Sequence, residues 1–406
     1  MERWRSDCGC NTGGDNNWHQ KWRKPLRETF DWIREDLIEL YEKELNEYTS
    51  EPWKVRDRYI QVILNRSTEN VQAFLTENFG EDLSEDEKVK LLKLMEMQYH
   101  AMLMYTSCGW FFDEVTGIES MQDIFYAKRA IQLAEEISGK SYEDEFVERL
   151  ENIPSNIPEF ENAQGAYNKF VKPMALDMIR IGAHYAVSSL FEEFPEEVTL
   201  YNFSASVKSR YYYEAGKQKL IIGRTEFRSD ITWETIDISY AVLHMGDHHL
   251  FGGVREYLGP DALEEMHSSV VKFFKQGNVY EIFNLMDTYF GNHNYSFWHL
   301  FRDEQRSIME LIMENTLKNV DNSMQQIYEN SYPLLQTFNE INMAVPDRLK
   351  LPVEMAVNSK LITSLKSKAF SVEKFKKLID SAEQINVSLD IVTLEFLMDK
   401  KLNSLM

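Results

Sequence analysis

Between residues 200 and 245 the apolar pattern of this chain changes period, and that change constrains the fold more than any other feature. In "LYNFSASVKS", Tyr201, Phe203, Ala205 and Val207 alternate with Asn202, Ser204, Ser206 and Lys208, the two-residue period of a strand with one buried face. "TIDISYAVLH" repeats the pattern, with Ile236, Ile238, Tyr240, Val242 and His244 on one side. "KLIIGRTEF" lies between them, beyond a turn at Glu214 to Lys217. These segments predict a small antiparallel sheet of roughly three to five strands over about 197–257.

On either side of that stretch the spacing is helical. From Pro25, the residues Leu26, Phe30, Ile33, Leu37, Leu40, Tyr41, Leu45 and Tyr48 recur at three- and four-residue intervals, and proline suits a first helical turn because its missing N–H has no partner there anyway. Further helices are predicted at about 53–65, 69–79 and 85–107, the last opened by a Ser84/Glu87 capping box. Ser120 with Asp123 predicts the next start and Gly139 its stop, and another helix is expected at about 173–193. Helices return from Pro260, at about 261–275, 278–288 and 300–328, with shorter ones beyond. The fold class is therefore mainly α: a helical bundle with a small inserted antiparallel β-sheet (about 197–257). The expected organisation is an N-terminal helical part (1–196), the β insertion (197–257) and a C-terminal helical part (258–406), folding as one compact unit.

The formal net charge of −22, from 44 Lys+Arg against 66 Asp+Glu, repels phosphate backbones and anionic lipid. Nucleic acid and membrane surfaces are thus excluded as expected partners, whereas a neutral sugar meets no such repulsion. No apolar run approaches the roughly 20 residues of a membrane span, and the polar N-terminus lacks the apolar core of a signal peptide. Three cysteines make no disulfide framework, and together these features predict a cytoplasmic protein.

Three stretches concentrate chemistry. The opening, "MERWRSDCGCNTGG", sets Arg3, Trp4, Arg5 and Asp7 together: guanidinium donors for hydroxyls beside an aromatic face for the C–H side of a sugar ring. "TSCGWFFDE" (106–114) ends a helix at Gly109 and then presents Trp110, two more aromatics, Asp113 and Glu114. Those carboxylates are weak catalytic candidates, since sequence neighbours do not face one another on a helix and point to opposite faces of a strand, whereas glycoside hydrolysis needs two carboxyls across one bond. "LHMGDHHLFGG" (243–253) carries His244, Asp247, His248 and His249 after a strand; with no clean zinc spacing it reads as a hydrogen-bonding loop, Asp247 and His248 foremost. Cys8, Cys10 and Cys108 are a weak metal candidate, Cys-x-Cys being a rarer spacing than Cys-x-x-Cys. No P-loop, dinucleotide fingerprint or nucleophile elbow is visible, so no cofactor is expected.

The same stretches carry a resemblance. "ERWRSDCGCNTGG", "NWHQKWRKPLRETFDW", "MLMYTSCGWFFDEVTGIES", "AVLHMGDHHLFGGVRE" and "HLFRDEQRSIMELI" resemble, in this order and over about residues 2–400, the C-terminal region of proteins whose N-terminal part is a family-57 glycoside hydrolase barrel, a region classed as a domain of unknown function (3536 type). The resemblance implies an α-amylase- or α-mannosidase-like parent acting on α-glucans or related oligosaccharides. It also implies that the catalytic Glu and Asp lie on a barrel with no counterpart here, so that neither is carried over. Trp110 would be the aromatic placed near the substrate cleft, and Arg3, Trp4, Arg5 and Asp7 would lie where the chain leaves the barrel, making Met1 a cloning or gene-model start.

The expected function is that of a module completing the substrate cleft of such a barrel without hydrolysing anything alone. A free-standing carbohydrate-binding module and a purely structural, protein-binding scaffold are the alternatives. The site reading requires the segments around 3–10, 106–114 and 244–249 to meet in one concavity.

Overall fold

The computed structural model describes residues 4–403 apart from 10, 11, 13, 14, 16, 176, 193, 247, 248, 292, 293, 300, 301, 368, 369 and 386. About 62% of the chain is helical and 14% is strand, with a single six-stranded antiparallel sheet. This is the helical bundle with a small sheet that the periodicity predicts. The chain falls into two compact units, Met1–Leu300 and Phe301–Met406.

In the first unit, α1 (Arg23–Leu45) buries Leu26, Phe30, Ile33, Leu37, Tyr41 and Leu45 along one stripe. Helices α2 (Pro52–Arg58) and α3 (Ile60–Leu64) break at Tyr59 where the spacing predicts one helix, and Tyr59 donates its hydroxyl to the buried Glu96. After α4 (Thr68–Phe79) comes α5 (Glu85–Leu103), whose capping box is present: Glu87 N–H donates to Ser84 Oγ, and Ser84 N–H to the Glu87 carboxylate at 2.9 Å. Every residue from Leu91 to Gln98 is buried, so α5 is a central helix enclosed on all sides.

Helix α6 (Ile118–Ser138) starts without the predicted cap. Ser120 and Asp123 lie inside it, buried, and serve the preceding turn instead. Helices α7 (Glu143–Glu151) and α8 (Ala163–Ala166) close the bundle, and α9 (Met178–Ser188) is shorter than the spacing suggests.

The sheet is a meander, β1 (Glu197–Leu200), β2 (Phe203–Ala215), β3 (Gln218–Ser229), β4 (Thr235–Gly246), β5 (His249–Glu256) and β6 (Asn294–Ser296), paired in sequence order. The sixth strand lies outside the predicted interval. The central strands are covered on both faces rather than one. Tyr185 of α9 meets Phe227 and Tyr240 on one side. On the other, Leu220, Ile222, Ala241 and Leu243 pack into a core with Met266, Val270 and Phe274 of α10 (Pro260–Lys275) and Ile282, Met286 and Phe290 of α11 (Val279–Phe290).

Sheet and bundle are one body. The β3–β4 turn drives Trp233, at φ 62°, into the bundle core, and Lys93 of α5 bridges Glu136 of α6 at 2.9 Å and Glu234 of the turn at 2.7 Å. The structural division accordingly falls near residue 300 and not at 196 or 257: α10 and α11 bury their apolar faces on the sheet.

The second unit comprises α12 (Arg302–Glu340), α13 (Asp347–Lys366), α14 (Val372–Gln384) and α15 (Ile391–Asn403) around its own core, with Val353, Val357, Leu361 and Leu365 of α13 at the centre. Helix α12 runs through Pro333 well past the predicted end near 328. Among the described residues no helix is long and apolar enough to cross a membrane.

Gly253 of β5 tests the packing of sheet on helix. A Cβ there would lie 2.0 Å from the Phe290 ring, inside a core with no slack. Gly253→Ala is expected to destabilise the chain by about 1–3 kcal/mol through overpacking, read as a lower urea midpoint at unchanged m-value.

Candidate functional site

The N-terminal arm and the segment after α5 do come together. Helix α5 ends at Leu103, and a 3₁₀ turn, Ser107–Trp110, reverses the chain before α6. Gly109 is required in that turn, because a Cβ there would lie 2.2 Å from Asp123 Oδ2. The turn decides which aromatics face inward. Trp110 is 2% exposed, stacked on Trp22 at 6.0 Å and edge-on to Phe30 at 5.9 Å, while Arg27 lies over its ring at 5.2 Å. Phe111 and Phe112 point outward, at 44% and 41% exposed. Trp110 is therefore a core residue that holds the corner to α1, and the expectation that it lines an open cleft is corrected. Trp4, 41% exposed, sets its ring against Phe111 at 6.4 Å. The exposed aromatic surface is Trp4 with Phe111 and Phe112.

Asp113 is the centre of the corner. It is 3% exposed, and its Oδ2 accepts the Thr12 N–H at 2.9 Å and the Thr12 hydroxyl at 2.7 Å. Its Oδ1 accepts from Gln20 Nε2, and its backbone carbonyl accepts from Trp22 Nε1 at 3.0 Å and Asn156 Nδ2 at 2.8 Å. Burial pushes the carboxyl up, but the two Thr12 donors, the Gln20 amide and the nearby Arg23 charge outweigh it and hold it below its ordinary value. Glu114 is equally committed, accepting from Ser155 Oγ at 2.7 Å, Asn156 N–H at 2.7 Å and Thr116 N–H at 3.0 Å. Both carboxylates are structural acceptors.

Arg23 completes the network. It is 1% exposed and donates to Gln20 Oε1 at 2.9 Å and to the carbonyls of Phe111 and Phe112 at 3.0 and 3.1 Å. Gln20 thus relays between a buried cation and a buried carboxylate, and Cys8 Sγ also donates to its Oε1 at 3.3 Å. Asp7 accepts from the Gln20 N–H at 3.4 Å, and Arg5 is exposed.

The remaining candidates separate. His244 is buried against Phe191, ring centroids 5.1 Å apart. The end of β4 at Thr235 adjoins the Glu234–Lys93 bridge to the bundle. His244 lies nine residues further on, about 30 Å along the strand. His244 therefore stands away from the bundle end of the sheet, and of the three segments expected to meet, the arm and the 106–114 turn are the two seen in contact among the described residues. Arg3, Asp247, His248 and Cys10 lie outside the described residues. Cys8 Sγ bonds into the Gln20 network, and Cys108 is exposed. Among the described residues no three His, Cys, Asp or Glu side chains are grouped to hold a metal ion.

Sequence reasoning missed Thr12, Gln20, Arg23 and Asn156. One signal was available: α1 opens on Arg23 and Lys24 with no acidic residue in its first turn, against the preference of a helix N-terminus for negative charge. A cation placed there has a tertiary role to justify it.

Asp123 supplies the test of this corner. It accepts from the Thr106 hydroxyl, while its other oxygen has no hydrogen-bond partner. Burial raises its pKa from the ordinary 3.8 to about 7, against the opposing Thr106 bond. The folded chain then holds a proton that the unfolded chain has released, so this residue's contribution to stability is full below about pH 4 and falls as pH rises to about 7. Across that interval the wild type is expected to lose up to about 4 kcal/mol relative to Asp123→Asn, measured as the difference between their denaturation free energies. A difference flat in pH overturns the assignment.

A family model, the domain of unknown function DUF3536, matches residues 18–301. No curated protein and no solved structure matches the chain. The matched span takes in most of the chain, including the 106–114 turn with Gln20 and Arg23, the bundle and the whole sheet, while the arm residues Trp4 and Thr12 precede it. This chain belongs to the DUF3536 family.

Proposed function

We propose that this chain is the non-hydrolytic C-terminal module of a cytoplasmic family-57-type glycoside hydrolase-like protein, binding α-glucan or a related oligosaccharide beside a catalytic barrel. The observation that carries the reading is the aromatic surface of the corner: Trp4, Phe111 and Phe112 are exposed together, on a base fixed by the Asp113 network. Exposed rings backed by a rigid scaffold suit the C–H faces of sugar rings, because little conformational entropy remains to be lost on binding. Arg5, exposed on the same arm, supplies hydroxyl-directed donors.

The non-hydrolytic part rests on Asp113 and Glu114. Each accepts three hydrogen bonds from the protein itself, and Asp113, its pKa lowered by those donors, has no proton to give as a general acid at neutral pH. A module of this kind acts on rate by positioning substrate, using binding energy from sugar units away from the scissile bond.

Titration with maltoheptaose tests the reading. Binding by the purified chain is expected, weakened about tenfold in Trp4→Ala, the loss of one aromatic–sugar contact of roughly 1–1.5 kcal/mol. No turnover is expected. Hydrolysis abolished by Asp113→Asn or Glu114→Gln overturns the non-catalytic reading, and absence of any affinity for maltooligosaccharides overturns the carbohydrate one.

A further inference from the structure

A second concavity lies elsewhere in the bundle, between α1, α2 and α5, with a volume of about 320 Å³ and none of the arm residues in its walls. Its aromatic rings are tied by their polar ends. Trp53 donates its indole N–H to Glu42 at 2.8 Å, and Tyr105 donates its hydroxyl to Asp31 at 2.7 Å. Their faces carry guanidiniums: Arg56 lies over Trp53 at 5.0 Å, and Arg34 near the Tyr105 face at 5.9 Å.

The charges around this pocket are unequally used. Arg56 gives Nε and Nη2 to Asp57, keeping Nη1, and Arg27 pairs loosely with Asp31 at 3.9 Å. Arg34 lines the pocket, yet among the described residues it has no carboxylate within 4.0 Å, in a chain with 66 acids to 44 bases. Gln98, buried, commits its amide N–H to the Leu37 carbonyl at 3.1 Å and retains Oε1 as an acceptor. Ile38, Ala101 and Met102 complete the wall with apolar surface.

From this we infer that the pocket binds a small phosphate monoester of a polyol or sugar. Arg34 and Arg56 would take the phosphate, Gln98 Oε1 would accept from a hydroxyl, and Met102 with Ile38 would pack on the carbon skeleton. A guanidinium fork matches phosphate oxygens in pairs, and one held over an aromatic ring loses less side-chain freedom on binding than a loose one. The carboxylates nearest the pocket are already engaged, Glu42 by Trp53, Asp31 by Tyr105 and Asp57 by Arg56, and charges of the acidic body beyond about 8 Å are screened at physiological salt. The inference is independent of the glycan surface at the corner.

Calorimetric titration of the full chain with glucose 6-phosphate, glucose and inorganic phosphate tests it. Glucose 6-phosphate is expected to bind more tightly than either of the others. Arg34→Met and Arg56→Met should each weaken it at least about tenfold, the loss of one charge-assisted contact. Arg34 is exposed, so Arg34→Met should keep the wild-type urea midpoint. Affinity unchanged in both variants, or no binding of glucose 6-phosphate at millimolar concentration, overturns the site. Equal affinity for inorganic phosphate or for glucose overturns the ester assignment, since either the apolar wall or the arginines would then contribute nothing.

Discussion

The corner of this protein depends on burying one carboxylate, Asp113, under an arm that would otherwise have little to hold it. The arm is tied down by two hydrogen bonds from Thr12 to a single carboxylate oxygen. Bonds to a charged acceptor each contribute about 1.5–3 kcal/mol, more than the conformational entropy of one residue, about 1–2 kcal/mol. The arm is therefore pinned at Thr12, and through it Trp4 can stay against Phe111.

Arg23 makes that burial tolerable. A carboxylate and a guanidinium both removed from water need all of their hydrogen bonds met. Gln20 is inserted between the two, and Arg23 Nη1 and Nη2 bond to its amide oxygen and to backbone carbonyls, so that neither ion depends on direct contact. An amide relay keeps the charges close enough to favour one another while fixing their separation through covalent geometry. Neutralising Asp113 would leave the Arg23 charge buried without its counterion, so the arm, the start of α1 and the turn after α5 stand or fall together.

How much of this was legible in the sequence depended on whether the cause was local. The Ser84/Glu87 cap and the switch to a two-residue period after residue 200 are set by neighbours in the chain, and both are present in the structure. The burial of both faces of β3 and β4 was not legible, because α10 and α11 come from sequence well beyond the sheet. Nor was the sorting of three consecutive aromatics: in "WFF" nothing in composition says that Trp110 turns inward and the two phenylalanines outward. That follows from a 3₁₀ turn whose tightness is set by Asp123 against Gly109. Ser120 and Asp123 misled for the same reason, since a serine followed three residues later by an acid reads as a cap, whereas both bond back to the preceding turn.

Asp113 and Glu114 show why residue type alone is a poor guide to chemistry. Adjacent carboxylates at the end of a helix, beside aromatics, look like the makings of a hydrolytic site. What decides the matter is the state of their lone pairs. A catalytic carboxylate must exchange a proton or attack an atom, so an oxygen must be free to meet the substrate, and one that works as a general acid must also keep a pKa near the working pH. Asp113 accepts three hydrogen bonds from side chain and backbone and is held ionised, while Glu114 accepts three others from the 114–116 turn and the 155–156 loop. To act on a substrate, either would have to release donors that the fold needs. On the proposed reading, this corner serves recognition, through the rings that those two carboxylates hold at the surface.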